Sequence, residues 1–219
     1  MFLTPAPDAV VFDFDGVIID SRDAVRTAVN EALAAHGLPS RPGAEVDHVI
    51  GPPVLVAFAE LTGEAESSAL VAACAATYNE RYARVYLQRT SLVDGIASVL
   101  GELTLPLALA TAKPAEFVSP LLAALSLAPY FEYVFAPERS APDERKTVTV
   151  ANALRALRAT EPIVVGDRSF DIEAAHANGI RAIGVTWGIG ERSELEAAGA
   201  DVVIERPAQL LSLLAPSHS

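Results

Sequence analysis

At 219 residues the chain suits one sizeable α/β domain, or a core with a smaller inserted module, and its 51% hydrophobic content supplies a large core and excludes disorder. A net charge of −12 argues against a nucleic-acid partner, which needs clustered Lys and Arg to neutralise phosphates. The single cysteine, Cys74, excludes an internal disulfide and a cysteine zinc set, and the lack of a basic leader or of a run of about 18 apolar residues predicts a cytoplasmic protein with no membrane partner.

Ala9-Val10-Val11-Phe12 reads as a buried parallel strand: short, β-branched, and bounded by Pro7 and Gly16. Asp13-Phe14-Asp15-Gly16-Val17 follows it directly. Two carboxylates therefore emerge at the carboxyl end of a strand, where open α/β sheets place their ligands. Strand alternation lets Asp13 and Asp15 point the same way, and carboxylates that close repel unless neutralised. A divalent metal neutralises them and frees one as nucleophile and the other for proton transfer. The same residues also read as a plain turn, because Asp and Gly are turn formers.

From Ser21 to His36 the apolar residues Ala24, Val25, Ala28, Val29 and Leu33 recur at helical spacing, with Asp20 or Ser21 as cap and Gly37 as stop. Two more helical stretches follow over 44–61 and 65–88, the first interrupted at Ile50-Gly51-Pro52-Pro53. The region from about 20 to 89 is predicted all-helical, with Cys74 in helix packing.

From Leu92 the pattern alternates. Strands are predicted at 107–111, 133–135, 163–165, 180–185 and 202–204, and helices at 95–103, 115–125, 146–157, 170–178 and 194–198. This is the signature of an α/β fold with a doubly wound parallel sheet.

Three further positions carry chemistry. Thr111 ends a predicted strand, where its hydroxyl and the following amides can donate to a bound anion, and Lys113 adds a nearby cation of unknown direction. Lys146 opens a predicted helix, where a lysine gains nothing from the macrodipole; that conflict fits a residue placed for a ligand, although on this segment alone a solvated surface lysine is the commoner case. Asp167 and Asp171 follow the strand at 163–165. They could converge on one metal, or simply be acids favouring a helix N-terminus.

Taken in order, Asp13-Phe14-Asp15-Gly16-Val17-Ile18-Ile19-Asp20-Ser21, Thr111, Lys146 and Gly166-Asp167 with Asp171 resemble the four motifs of the haloacid dehalogenase-like phosphohydrolase superfamily. The resemblance spans nearly the whole chain. Ile50-Gly51-Pro52-Pro53, Tyr78-Asn79-Glu80-Arg81-Tyr82 and Gly184-Val185-Thr186-Trp187-Gly188-Ile189-Gly190 are similar to segments of its phosphoglycolate phosphatase-like branch, as are Ser193-Glu194-Leu195 and Ala198-Gly199-Ala200-Asp201. Two departures stand out: Thr147 follows the third-motif lysine where proline is frequent, and Asn79 stands where arginine is frequent.

The resemblance implies a Rossmann-like core over residues 1–19 and 90–219 and a helical cap over 20–89. It implies a phosphatase in which Asp13 attacks phosphorus while Asp15 protonates the leaving oxygen and then deprotonates water. Mg²⁺ would be held by Asp13, the Asp15 backbone carbonyl and Asp167, with Asp171 binding directly or through water. Thr111 and the Ala112 amide would hold phosphoryl oxygens, and Lys146 would offset their charge. Arg81 is a candidate substrate contact from the cap, with Arg22, Arg84 and His48 beside it. The expected partner is a small phosphorylated metabolite, phosphoglycolate first, and the chain would be a monomer or a homodimer. A phosphosugar mutase shares the motifs, and a non-catalytic binding protein on this fold is a third reading.

Overall fold

The computed structural model describes residues 3–138 and 146–215. Strand β1 (Ala9–Phe12) is buried along its whole length and pairs in parallel with β4 (Leu107–Ala110) on one side and β6 (Pro162–Gly166) on the other. Val10 lies opposite both Leu107 and Ile163. The sheet continues to β5 (Tyr133–Phe135) at one edge and through β7 (Arg181–Val185) to β8 (Val202–Ile204) at the other, in the order β5-β4-β1-β6-β7-β8. Every pairing is parallel.

The strands read as continuous apolar runs because both faces of the sheet are covered. On one face Val11, Ala108, Val164 and Ala182 pack with Val150 and Ala153 of α7 (Lys146–Leu157), Ile172 and Ala175 of α8 (Ser169–Ala177) and Leu195 of α9 (Arg192–Ala197). Val10, Phe12, Leu109, Ile163 and Val165 alternate with them toward the other face and are equally buried. Helices α5 (Ile96–Glu102), α6 (Ala115–Ala124) and α10 (Gln209–Leu214) complete this part of the chain. The connections from β1 run toward β4 and β5, whereas those from β6 run toward β7 and β8. The strand order therefore reverses between β1 and β6, and the crevice at that reversal is where such sheets bind ligands.

The chain divides into two compact units, Met1–Asp20 with Leu92–Ser219 and Ser21–Ser91. The second contains α1 (Arg22–Ala35), α2 (Gly43–His48), α3 (Val54–Thr62) and α4 (Ala69–Val85). Helix α1 buries Ala24, Val25, Ala28, Val29, Ala32 and Leu33, a stripe at three- and four-residue spacing, and packs on α4. Arg26 grips both carboxylate oxygens of Asp47, tying α1 to α2. Tyr78, Tyr82 and Tyr86 stack along α4, and Phe58 meets Tyr78 edge-on.

Several boundaries differ from the sequence expectation. The 65–88 stretch becomes a helix only at Ala69, because Ser68 caps it by accepting a hydrogen bond from the Val71 amide at 3.1 Å. The 44–61 stretch breaks where expected, Pro52 and Pro53 separating α2 from α3. Helix α10, the short 3-10 turn Ala128–Tyr130, and the two-residue strands β2 (Ile19–Asp20) and β3 (Ser91–Leu92), which pair with each other, have no counterpart in that reading. Among the described residues no helix is long and apolar enough to cross a membrane.

Candidate active site

Residues from four strand ends meet at the carboxyl edge of the sheet. Asp13 follows β1 and stays in register with β6, its amide donating to the Val165 carbonyl at 2.9 Å. Asp167 follows β6, and Asp171 sits in the first turn of α8. Each of these three carboxylates offers one oxygen to a cluster only 4.8 Å across, and all three are buried. Lys146, the first residue of α7, reaches into the cluster and donates to Asp13 Oδ1, with Asp171 Oδ1 2.9 Å from its ammonium. Its side chain is 8% exposed, so the surface reading of this lysine does not hold.

The electrostatics follow from this crowding. Burial pushes the Asp13 carboxyl up to about 7; Lys146 opposes the rise, and Asp171 and Asp15 reinforce it. Asp167 is held well above the ordinary carboxylate range by burial and by the charges of Asp171 and Asp13, against the pull of the Ile189 amide. Burial lowers the Lys146 ammonium, but Asp13 and Asp171 outweigh it and keep it above the usual lysine value.

Asp171 serves two purposes. Its Oδ2 accepts the amides of Asp167 at 3.2 Å and Arg168 at 3.1 Å, fixing the start of α8, while Oδ1 faces Lys146. The helix-terminus and ligand readings of this acid are therefore compatible.

Asp15 stands apart from the three-carboxylate cluster. Its Oδ1 accepts from Lys113 Nζ at 2.9 Å, which gives the direction the sequence left open. The turn after it needs Gly16, whose φ is +81° and whose absent Cβ would come within 2.1 Å of Asp167 Oδ2. Thr111 closes β4, is buried, and accepts the Lys113 amide on Oγ1 at 3.0 Å. That acceptance leaves its hydroxyl proton to serve as donor. Ala112 is exposed at the same turn. Arg81 belongs to the helical unit, where its Nε faces Glu31 Oε2 at 3.8 Å, and His48 faces Glu60 there at 3.7 Å.

Two supporting contacts escaped the sequence reading. Ile189 donates its amide to Asp167 Oδ2 at 2.7 Å. Glu194 Oε1 accepts from Arg168 Nε at 3.0 Å and from the Ser169 amide at 2.8 Å. Burial pushes Glu194 up, but these partners outweigh it and leave its carboxyl lowered. The Gly-Ile-Gly and Ser-Glu-Leu strings were the only signals of either contact.

The donor set fits a hard divalent cation. Every candidate ligand is an oxygen, and Asp167 Oδ1 is buried without a hydrogen-bond partner. With all four carboxylates ionised, Asp13, Asp15, Asp167 and Asp171 against the two ammonium groups of Lys113 and Lys146 leave two negative charges, the charge that one such cation cancels.

The sequence profile of the haloacid dehalogenase-like hydrolases matches residues 10–185. The chain belongs to that family. The hydrolase is 32% identical to the phosphoglycolate phosphatase of Pectobacterium atrosepticum over 96% of this chain and 93% of that protein. It is 31% identical to a 5'-nucleotidase of Pseudomonas aeruginosa over 86% of each. The structure superposes on a haloacid dehalogenase-like hydrolase from Streptococcus pneumoniae with a TM-score of 0.86, 25% identity, and coverage of 94% of this chain and 97% of that one. These relatives put the hydrolase on the phosphoglycolate phosphatase-like branch, among the family's phosphatases.

Proposed function

We propose that this hydrolase is a Mg²⁺-dependent phosphohydrolase that cleaves a small phosphomonoester through an aspartyl-phosphate on Asp13. The observation that carries the reading is the buried Asp13 carboxylate, held through Oδ1 by Lys146, with Asp15 two residues on after the same strand and Thr111 at the end of the neighbouring one. Asp13 attacks phosphorus, a P–O bond forms to its carboxylate, and the bond to the ester oxygen breaks. Asp15 gives its proton to that leaving oxygen, then takes one from the water that attacks the aspartyl-phosphate. The second displacement frees inorganic phosphate and restores Asp13. Thr111 and the amide of Ala112 hold phosphoryl oxygens, and Lys146 spreads the charge that builds on Asp13 and phosphate.

Asp13, the Asp15 carbonyl, Asp167 and Asp171 would hold Mg²⁺, which supplies charge neutralisation at the phosphoryl group. The helical unit serves as a cap that selects the leaving group and excludes bulk water, with Arg81 as a substrate contact. Phosphoglycolate is the first candidate substrate, because the Pectobacterium atrosepticum relative is named a phosphoglycolate phosphatase.

Phosphate release from a panel of phosphomonoesters, including phosphoglycolate and nucleoside monophosphates, tests the reading with Mg²⁺ or EDTA. Metal-dependent turnover that Asp13→Asn abolishes supports it. Isomer formation from a phosphosugar without net phosphate release would favour a mutase instead, and no reaction of either kind would favour a binding protein.

A further inference from the structure

Resting on the metal-dependent reading above, we propose that the turn Trp187-Gly188-Ile189-Gly190 is a positioning device for Asp167 that leaves one carboxylate oxygen for the cation and so favours Mg²⁺ over Ca²⁺. The two oxygens of Asp167 have unequal surroundings. Oδ2 accepts the Ile189 amide at 2.7 Å, whereas Oδ1 is buried with no hydrogen-bond partner. One oxygen is therefore committed to the backbone, and the other is left without a protein partner in a residue that clusters with Asp13 and Asp171.

Two glycines from different loops confine the carboxylate. A Cβ on Gly16 would lie 2.1 Å from Oδ2, and a Cβ on Gly188 would lie 2.2 Å from the same atom. Gly188 is not among the residues with positive φ, so close approach explains its lack of a side chain and backbone freedom does not. A Cβ on Gly190 would meet the Asp167 carbonyl oxygen at 2.0 Å. The turn is itself pinned at its start: Trp187 Nε1 donates to the Val17 carbonyl at 3.2 Å, and the Thr186 amide donates to Ile204 at 3.0 Å. Trp187 thus links the turn that holds Asp167 to the loop that carries Asp15.

A carboxylate limited to one oxygen suits Mg²⁺, which binds through few carboxylates and keeps its waters. Ca²⁺ takes more oxygens and readily uses both atoms of a carboxylate. Releasing Oδ2 from the Ile189 amide should relax that preference.

The test is calorimetric titration of the purified hydrolase with MgCl₂ and with CaCl₂. Emission of Trp187, the sole tryptophan, gives a second readout. Gly188→Ala is compared with wild type and with Gly101→Ala in α5, where the nearest atom to a new Cβ is 4.0 Å away. Gly188→Ala should weaken Mg²⁺ by about tenfold or more, as displaced supporting contacts do, and should weaken Ca²⁺ distinctly less; Gly101→Ala should leave both unchanged. Unaltered affinities in Gly188→Ala, or equal losses for both cations, overturn the inference while wild-type binding leaves the metal-dependent reading intact. Absent Mg²⁺ binding to wild type defeats that reading, and the inference with it. If Gly188→Ala does not fold, the Ile189 amide of wild type decides: slow hydrogen exchange and a resonance that moves on Mg²⁺ addition support the device, and free exchange overturns it.

Discussion

Lys113 Nζ lies 2.9 Å from Asp15 Oδ1, and the side chain that carries it is only 7% exposed. A largely buried ammonium on the proposed acid/base restrains that carboxylate through a charge-assisted hydrogen bond. It also takes part in neutralising a cluster otherwise dominated by acids. Removing it should harm proton transfer more than phosphate binding. Lys113→Met is expected to lower kcat by about 10²-fold for an alkyl phosphate, whose leaving oxygen needs a proton, and far less for p-nitrophenyl phosphate. Equal losses on the two substrates would refute this role for the pair.

Lys146 is the ammonium on which Asp13 and Asp171 both depend. Lys146→Met leaves two buried carboxylates without their cation and should destabilise the metal-free protein by about 3 kcal/mol at pH 8. The cost should shrink at pH 5, where the Asp13 carboxyl can take up a proton instead. Urea midpoints at the two pH values in EDTA check both statements.

The pH dependence of stability has a definite sign. Asp13 titrates near 7 in the folded protein against 3.8 ordinarily, and Asp167 is shifted the same way. Between those values the native state holds protons that the unfolded chain has lost. The contribution of Asp13 to stability therefore falls as pH rises from about 4 to about 7, and that of Asp167 also falls with rising pH. A bound divalent cation displaces those protons, so the gain in stability from saturating Mg²⁺ should grow across the same window, by roughly 1.4 kcal/mol per pH unit for each proton displaced. Denaturation curves at pH 5, 6, 7 and 8 with Mg²⁺ or EDTA measure it; parallel profiles would contradict the cluster's assignment as a metal site.

In the helical unit, Ser68 caps α4 through the Val71 amide. Ser68→Ala should cost about 1 kcal/mol in stability and leave turnover of p-nitrophenyl phosphate unchanged. Thermal unfolding and steady-state assays on the same preparation separate the two effects.

The sheet was legible because its strands are short apolar runs closed by acids or small residues, as in Ala9–Phe12 and Pro162–Gly166. Asp13 and Asp167 were legible for the same reason, since a strand end has a fixed place in a parallel sheet, and Asp171 followed from its position in the first turn of the next helix. Gln209–Leu214 is under two helical turns, too short for a period to show, and the two residues of β2 carry no alternation at all. The pairing of Lys113 with Asp15 spans 98 residues and depends on a side-chain direction that no local pattern encodes. The Ile189 contact uses a backbone amide, which is the same in every non-proline residue, so only the glycines flanking it left a mark.

Strands β2 and β3 set the two ends of the helical unit side by side, as partners in a ribbon of their own. For the sheet, the whole of Ser21–Ser91 is then equivalent to one closed loop. The entropy of closing such a loop grows only with the logarithm of its length, so the sheet is nearly indifferent to how many residues lie between. Selection can accordingly lengthen, shorten or exchange that excursion while the reacting groups stay where the sheet put them. A scaffold of this kind changes clientele without rebuilding its chemistry.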